Sequence, residues 1–269
     1  VQKGSEKKVQ VDWGSGAKME YDVSDTKYTR LDGTAETAAE SGATESTVTI
    51  YGDVDALNLE SFGEYGQLVG AWDNQVSSID LTNNDLLIAL NLYMNPIKTL
   101  DVTNQTNLQE LDCSYCELTE LDVTKNTELL SLLCYGNELT TLDLSKLPEL
   151  IEMNARVNKL TSIDASGIQD AGTATLWLMG NQLTENKLPS AKMKTLNISK
   201  NNFTLATLPA PDATTAARGF SYAPQNDYVI AESYKVGDVL DLSSQTSATL
   251  NTQFAVYKSD KTALTEGTD

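Results

Sequence analysis

The chain has 269 residues, of which 40% are hydrophobic, and its formal net charge at pH 7 is −19. Such an acidic chain repels nucleic-acid phosphates and anionic lipid, so we expect neither as a partner. With three cysteines and no histidine, Ser-His-Asp and Cys-His catalytic pairs are excluded and the usual zinc ligand of proteins is missing.

The composition also bears on the membrane. The longest apolar run, residues 86–90, falls far short of the roughly 18 residues of a membrane-spanning helix. We therefore expect no membrane insertion by this segment. The sequence starts with Val1 and shows no signal peptide, and we expect an N-terminus trimmed by processing.

Residues 1–46 are predicted to form an N-terminal β cap. Apolar and polar residues alternate around Val11 and again around Tyr21, and residues 14–16 (GSG) offer a tight turn between them. This pattern predicts a β-hairpin. The stretch VDWGSGAK, residues 11–18, resembles the W-G-D-G-T hairpin of PKD-like β domains, with Ser15 where that family has Asp.

Residues 47–204 are predicted to form a solenoid. Residues 108–128 (LQELDCSYCELTELDVTKNTE) and 129–149 (LLSLLCYGNELTTLDLSKLPE) align as two lines of 21 residues with apolar side chains at the same offsets. A fixed period of roughly 20–29 residues with this pattern of apolar positions predicts a leucine-rich repeat. We expect a mainly β, right-handed solenoid of about seven to eight short coils that opens with a degenerate repeat at 48–59 and is in frame from Gly66.

The composition changes after the repeats. Residues 205–226 are rich in Ala, Thr and Gly and contain Pro209, Pro211 and Pro224, which predicts a linker. Short strand-like runs follow, and residues 227–269 are predicted to be a partial β-sandwich, an Ig-like module.

Stacking of the coils places equivalent residues in columns. The inward columns contain Leu and Val, and a turn column contains an asparagine whose amide can satisfy buried backbone groups. Cys116 interrupts this turn column, which otherwise consists of Asn74, Asn95, Asn137, Asn158, Asn181 and Asn201.

Cysteine and aspartate columns suggest chemistry but favour structural roles. Cys113 and Cys116 form a C-x-x-C without a second pair or a histidine, so we expect neither a zinc site nor any other cofactor. Cys113 and Cys134 share an inward column at a spacing too long for an unstrained disulfide, which predicts buried free thiols.

A column of aspartates, each followed two residues later by Thr or Ser, predicts turn capping. A cation ladder is the alternative. Its members are Asp80, Asp101, Asp122, Asp143 and Asp164.

Two columns that point outward from the first strand supply the predicted binding face. Aromatic, Arg, Met and Leu side chains on a solvated face are typical of binding hot spots. The alternative is that Trp72 lies under the cap and Trp177 packs beside the insertion that follows Asp170. The predicted face comprises Trp72, Tyr93, Leu133, Tyr135, Arg156, Trp177 and Met179.

The wording LDCSYCELTELDVTKNTEL at 111–129 resembles the short 21-residue repeats of bacterial secreted and cell-surface leucine-rich repeat proteins, relatives of the internalins. The resemblance implies a secreted or surface-displayed, often lipid-anchored protein that binds other proteins. It implies no catalytic residues.

These observations predict a monomeric, non-catalytic adhesion module that presents its strand face to a host or bacterial protein. Three other functions stay open. The exposed aromatics also suit a glycan, the solenoid could be a spacer for a further C-terminal domain, and paired carboxylates could serve a glycoside hydrolase, although a solenoid supplies no deep cleft.

Overall fold

The computed structural model describes residues 2–3, 8–12, 18–22, 49–51, 54–58, 76–170, 172–185, 187, 193–203 and 220–221. These residues contain strands and turns and no helix. The predicted 227–269 module, the predicted linker except for residues 220–221, and Trp72 and Asn74 lie outside them.

The main feature of the fold is one nine-stranded sheet. Eight of its strands run parallel, and each pairs with the equivalent strand of the neighbouring coil. They are β5 (Val54–Asn58), β6 (Ala89–Asn91), β7 (Glu110–Asp112), β8 (Ser131–Leu133), β10 (Glu152–Asn154), β12 (Thr175–Trp177), β13 (Thr195–Asn197) and β14 (Phe220–Ser221). Successive parallel strands of this kind confirm a mainly β solenoid.

The two ends of the sheet extend beyond the regular coils. β5, in the predicted opening repeat, pairs directly with β6, with Leu57 opposite Leu90. The prediction of a coil in frame from Gly66, which would place a strand between these two, is therefore wrong. β1 (Gln2–Lys3) adds antiparallel to β5. At the other end, β14 pairs with β13, so the predicted linker contributes a strand to the sheet.

A small three-stranded sheet lies in the N-terminal region. β2 (Lys8–Asp12) pairs antiparallel with β3 (Lys18–Asp22) and, on its other edge, with β4 (Thr49–Tyr51). Val11 lies opposite Met19 and is fully buried. The antiparallel pairing over residues 8–22 confirms the predicted hairpin.

Two inward columns of the repeat strands β6, β7, β8, β10, β12 and β13 form one part of the core. The central residue of each repeat strand is buried, as alternation along a strand requires, and so is the residue two positions later. The first column contains Leu90, Leu111, Leu132, Met153, Leu176 and Leu196, and the second contains Leu92, Cys113, Cys134, Ala155, Leu178 and Ile198. Each fully buried Leu contributes about 1.5–3 kcal/mol of transfer free energy.

The opposite wall of the coil is only partly a sheet. β9 (Thr141–Asp143) and β11 (Ser162–Asp164) pair in parallel, and an isolated bridge joins Asp164 to Lys187. The equivalent segments 99–101 and 120–122 are not strands. The second wall therefore closes regularly in only part of the solenoid.

The asparagine column makes the hydrogen bonds predicted for it. Asn137 Oδ1 accepts from the backbone amides of Cys116 and Leu118, at 3.0 and 2.9 Å, and its Nδ2 donates to the carbonyls of Cys113 and Cys134. One buried side chain thus joins two coils through four hydrogen bonds.

A second buried amide column was not predicted from the sequence. Gln105 Nε2 donates to the carbonyl of Leu81, and Asn126 Nδ2 donates to the carbonyl of Val102. Leu147 continues the column and is buried without an amide. The polar column therefore becomes apolar halfway along the solenoid.

The residue before each turn asparagine has a left-handed backbone. The φ angles are 60° at Met94, 53° at Tyr115, 70° at Gly136, 54° at Val157, 74° at Gly180 and 53° at Lys200. Four of these six are not glycine, although the left-handed region costs a non-glycine residue about 1–2 kcal/mol.

Candidate surface for protein recognition

The outward column at the end of each strand is mainly a set of turn caps. Asn91 Oδ1, Asp112 Oδ1 and Asn154 Oδ1 each accept the backbone amide two residues later, at 2.9, 3.0 and 3.4 Å. Leu133 and Trp177 occupy the same column and cannot accept this bond. Both are half-buried, so the two apolar members are the exceptions in a polar structural column.

Three tyrosines form a compact cluster beside this column. The ring centroids of Tyr115 and Tyr135 are 5.1 Å apart at 79°, those of Tyr93 and Tyr115 are 5.9 Å apart at 72°, and those of Tyr93 and Tyr135 are 6.2 Å apart. Edge-to-face pairs at these separations are favourable beyond the area they bury. We call Tyr93, Tyr115 and Tyr135 the tyrosine cluster.

Two small residues allow this cluster to form. Tyr93 and Tyr135 lie two coils apart, and the residue between them in the column is Ser114, whose small side chain is fully buried. At position 136, any side chain would collide with the Tyr115 ring, because a Cβ there would lie 2.4 Å from it. Glycine at this position avoids the collision. Tyr115, on the intermediate coil, has a positive φ, and its ring contacts both of the others.

Arg156 extends the cluster by one coil. Its Cζ lies 5.0 Å from the centroid of the Tyr135 ring, a cation–π contact. The exposed fraction of Tyr115 is 45%, whereas Tyr93, Tyr135 and Arg156 are half-buried. The surface therefore presents one projecting ring supported by two others and a guanidinium.

Burial shapes the electrostatics of the surface. It raises the pKa of Asp112, and the backbone hydrogen bond from Ser114 partly offsets that rise. Burial also raises the pKa of Tyr135, with further contributions from its hydrogen bond with Tyr93 and from the charge of Asp112. The Tyr135 hydroxyl is consequently protonated at neutral pH.

The structure groups some of the predicted face residues and leaves others at its edge. Tyr93, Tyr135 and Arg156 come together, and Leu133 lies in the neighbouring column. Trp177 and Met179 lie on the same face towards β13, and Trp72 is outside the described residues. Tyr115 was missed, although its alignment with Gly136 at the residue before the turn asparagine was a signal in the sequence.

The aspartate column on the opposite wall caps turns, as predicted. In each case the aspartate Oδ1 accepts from the Thr or Ser two residues later, for example 2.9 Å from the Thr124 amide and 2.7 Å from its hydroxyl for Asp122. The hydroxyl bond, then the amide bond, lowers the pKa of Asp122. Asp101, Asp122 and Asp143, together with Leu100, line a groove of about 720 Å³.

Metal and thiol chemistry gain no support from the described part of the chain. No group of three or more His, Cys, Asp or Glu side chains there could hold a metal ion, and the cation ladder stays an untested alternative. Cys113, Cys116 and Cys134 are buried free thiols, as predicted. Burial raises the pKa of Cys134 to about 12, so this thiol is protonated and unreactive.

No protein-family model and no curated protein matches the chain. One similar solved structure is the functional domain of InlJ from Listeria monocytogenes, described as including a cysteine ladder. It is 22% identical with a TM-score of 0.34 and matches 71% of this chain and 51% of that one. The chain thus spans about half of that structure, and the solenoid assignment rests on the strand pairing described above.

One structural observation concerns the membrane. Within residues 76–170 and the other described ranges, no helix is long and apolar enough to span a bilayer.

Proposed function

We propose that this chain is a non-catalytic, extracellular protein-interaction module that presents the strand face of its solenoid to a host or bacterial protein. The observation that supports this function is the tyrosine cluster with Arg156, exposed on a regular sheet. Tyr and Arg are the residues in which binding hot spots are enriched. Leu133 and Trp177 add apolar area to the same face.

Preorganisation supports a binding role. The Tyr115 ring packs edge to face against Tyr93 and Tyr135, and Arg156 lies over Tyr135, so little side-chain entropy remains to be lost on association. The backbone beneath is fixed by bonds such as that from the Tyr115 amide to the Tyr135 carbonyl, at 2.9 Å. Rigid aromatic anchors of this kind give contact area at low entropic cost.

Two glycine substitutions test the surface with a matched control. Gly136→Ala would displace the Tyr115 ring, whereas Gly180→Ala meets its nearest atoms at 3.6 Å or more. The φ angles of the two glycines are nearly the same, 70° and 74°, so the backbone cost of Ala is matched. Phage that display random linear peptides are selected on the wild-type protein and then measured on both variants.

We expect Gly136→Ala to release the selected peptides and Gly180→Ala to retain them. Tyr115→Ala should weaken the same peptides about 30-fold, the loss typical of a hot-spot tyrosine. If the peptides bind the Tyr115→Ala variant as well as they bind wild type, the tyrosine cluster is not the binding surface and the proposal fails.

Leu133→Asn and Trp177→Asn give a second test because they restore the residue that Asn91 and Asn154 supply in other coils. The new amide can cap the turn, so we expect an unchanged or slightly higher unfolding midpoint. Binding of the selected peptides should fall in both variants, because apolar contact area is lost. If one of these variants folds and binds peptides as the wild type does, the residue that it replaces is not part of the binding surface.

A glycan ligand is the second candidate, favoured by the exposed Tyr115 ring on the same coil as the half-buried carboxylate of Asp112. A ring and a carboxylate can together contact the apolar and hydroxyl groups of a sugar. A glycan array probed with wild type and Tyr115→Ala separates the two functions. Tyr115-dependent binding to sugars, without Tyr115-dependent peptides, would favour the glycan.

A further inference from the structure

The next inference rests on the proposed function and concerns the chemistry of the protein partner. Two opposite charges lie beside the tyrosine cluster, and neither forms a salt bridge with another described residue. Arg156 is half-buried over Tyr135, and within the described residues it forms no salt bridge. Its planar guanidinium is therefore available to a carboxylate.

Asp112 is the second charge. It is half-buried, its Oδ1 accepts the Ser114 amide at 3.0 Å, and in the part of the chain that the structure describes it has no salt bridge. The neutral side chains of Asn91 and Asn154 make the same turn bond, so the turn does not require the charge. A carboxylate that the fold does not need is available to a cation.

The sheet register sets the separation of the two charges. Asp112, Leu133 and Asn154 are aligned on the consecutive strands β7, β8 and β10, and Arg156 follows Asn154 by two residues. Two strand spacings of about 4.8 Å place the charges roughly 10 Å apart along the solenoid axis. The ring of Tyr135 lies on the intermediate coil, between them.

We propose that the protein partner presents a basic side chain to Asp112 and an acidic side chain to Arg156, and that this pair of contacts fixes its direction along the solenoid. Covering either charge without an opposite charge is costly, since the charge loses its water. A partner of reversed polarity meets two like charges and is rejected. The tyrosine cluster supplies affinity, and Asp112 and Arg156 supply selectivity.

The peptides selected on the wild-type protein test this directly. In an extended peptide, side chains about three residues apart span roughly 10 Å. We expect the Tyr115-dependent peptides to carry a Lys or Arg and an Asp or Glu at about that spacing. Asp112→Asn and Arg156→Gln should each weaken them about 10-fold or more, because a desolvated charge pair is lost.

Crossed substitutions assign each contact. A peptide whose basic residue is replaced by Met should no longer respond to Asp112→Asn, and a peptide whose acidic residue is replaced by its amide should no longer respond to Arg156→Gln. Lys159→Gln is the charge control, because Lys159 pairs at 3.0 Å with Glu138 in an exposed salt bridge. We expect that control to change binding by less than about twofold.

The outcomes separate this inference from the proposed function. If Tyr115→Ala abolishes binding while Asp112→Asn and Arg156→Gln do not weaken it, the charge pairing is wrong and the tyrosine surface stands. Crossed variants that remain sensitive to both substitutions also overturn the pairing. If no selected peptide depends on Tyr115, the proposed function fails and this inference fails with it.

Discussion

Replacing Asn137 with alanine should cost about 3–6 kcal/mol of stability, because one amide serves four backbone groups. The Cys134 carbonyl keeps a partner, since Asn158 Nδ2 also donates to it at 3.0 Å. Three groups lose theirs: the amides of Cys116 and Leu118 and the carbonyl of Cys113. A buried polar group left without a partner costs about 1–3 kcal/mol, and some relaxation lowers the sum.

The opposite substitution, from a residue without an amide to asparagine, can be made at Cys116. There the turn column lacks an amide, and the thiol Sγ donates instead to the Leu92 carbonyl at 3.1 Å. An S–H group is a weak donor, so Cys116→Asn should raise stability by up to about 1 kcal/mol. The two substitutions change the same column in opposite directions.

Urea unfolding measures both variants. Circular dichroism and tryptophan fluorescence must give coincident transitions, so that one free energy of unfolding is defined, and equal m-values allow midpoints to be compared. The reasoning is refuted if Asn137→Ala loses less than about 1 kcal/mol. In that case water or a shifted turn satisfies the three groups, and the amide column does not hold the coils together.

Three further predictions concern strain and pH. Val157→Gly should stabilise the protein by about 1 kcal/mol, because it removes a β-branched residue from the left-handed region. The control Thr161→Gly, at a position where φ is not positive, should destabilise the protein by about 0.5–1 kcal/mol. Equal decreases in the unfolding midpoint of the two variants would contradict this reasoning. Asp112→Asn should raise stability at pH 7 and leave it unchanged well below pH 3.8. A carboxyl whose pKa is raised on folding contributes stability at low pH, and that contribution is lost as the pH rises through the raised value. A gain in stability that persists at low pH would point to another cause. Asp122, whose pKa is lowered on folding, contributes stability above about pH 3.8, and this contribution disappears as the pH falls through the lowered value. Thr124→Val should therefore make the loss of stability at acid pH less steep. An unchanged acid limb of the stability curve would show that the capping bond is not the cause.

The inward columns could be predicted from the sequence because each is fixed by local alternation and repeated in every coil. The same holds for the turn bonds of the aspartate column, since each depends only on the residue two positions later. Leu132 and Cys134 therefore face the core as predicted, and Asp122 caps its turn as predicted. Backbone geometry within one coil determines all three positions.

The tyrosine cluster could be predicted only in part because it depends on contacts between coils. Tyr93 and Tyr135 share a column and were predicted as part of one face. Tyr115 belongs to another column, and its position requires the left-handed turn at its own residue, the small Ser114 and the missing side chain of Gly136. No window of one coil contains all of these conditions, so the contact can be found only when Tyr115 is aligned with Gly136 of the next coil.

Departures from the repeat differ in whether the fold compensates for them. At Cys116 the thiol replaces the amide of the turn column, and at Leu147 an apolar side chain fills the core where the second amide column ends. Leu133 and Trp177 replace the turn-capping asparagine without supplying an acceptor, and both remain half-buried on the strand face. Within the described residues nothing replaces the missing acceptor at Leu133 and Trp177, and the proposed function would account for both substitutions. This argument, more than the regularity of the repeat, directs the search for a partner to the face that contains Tyr115.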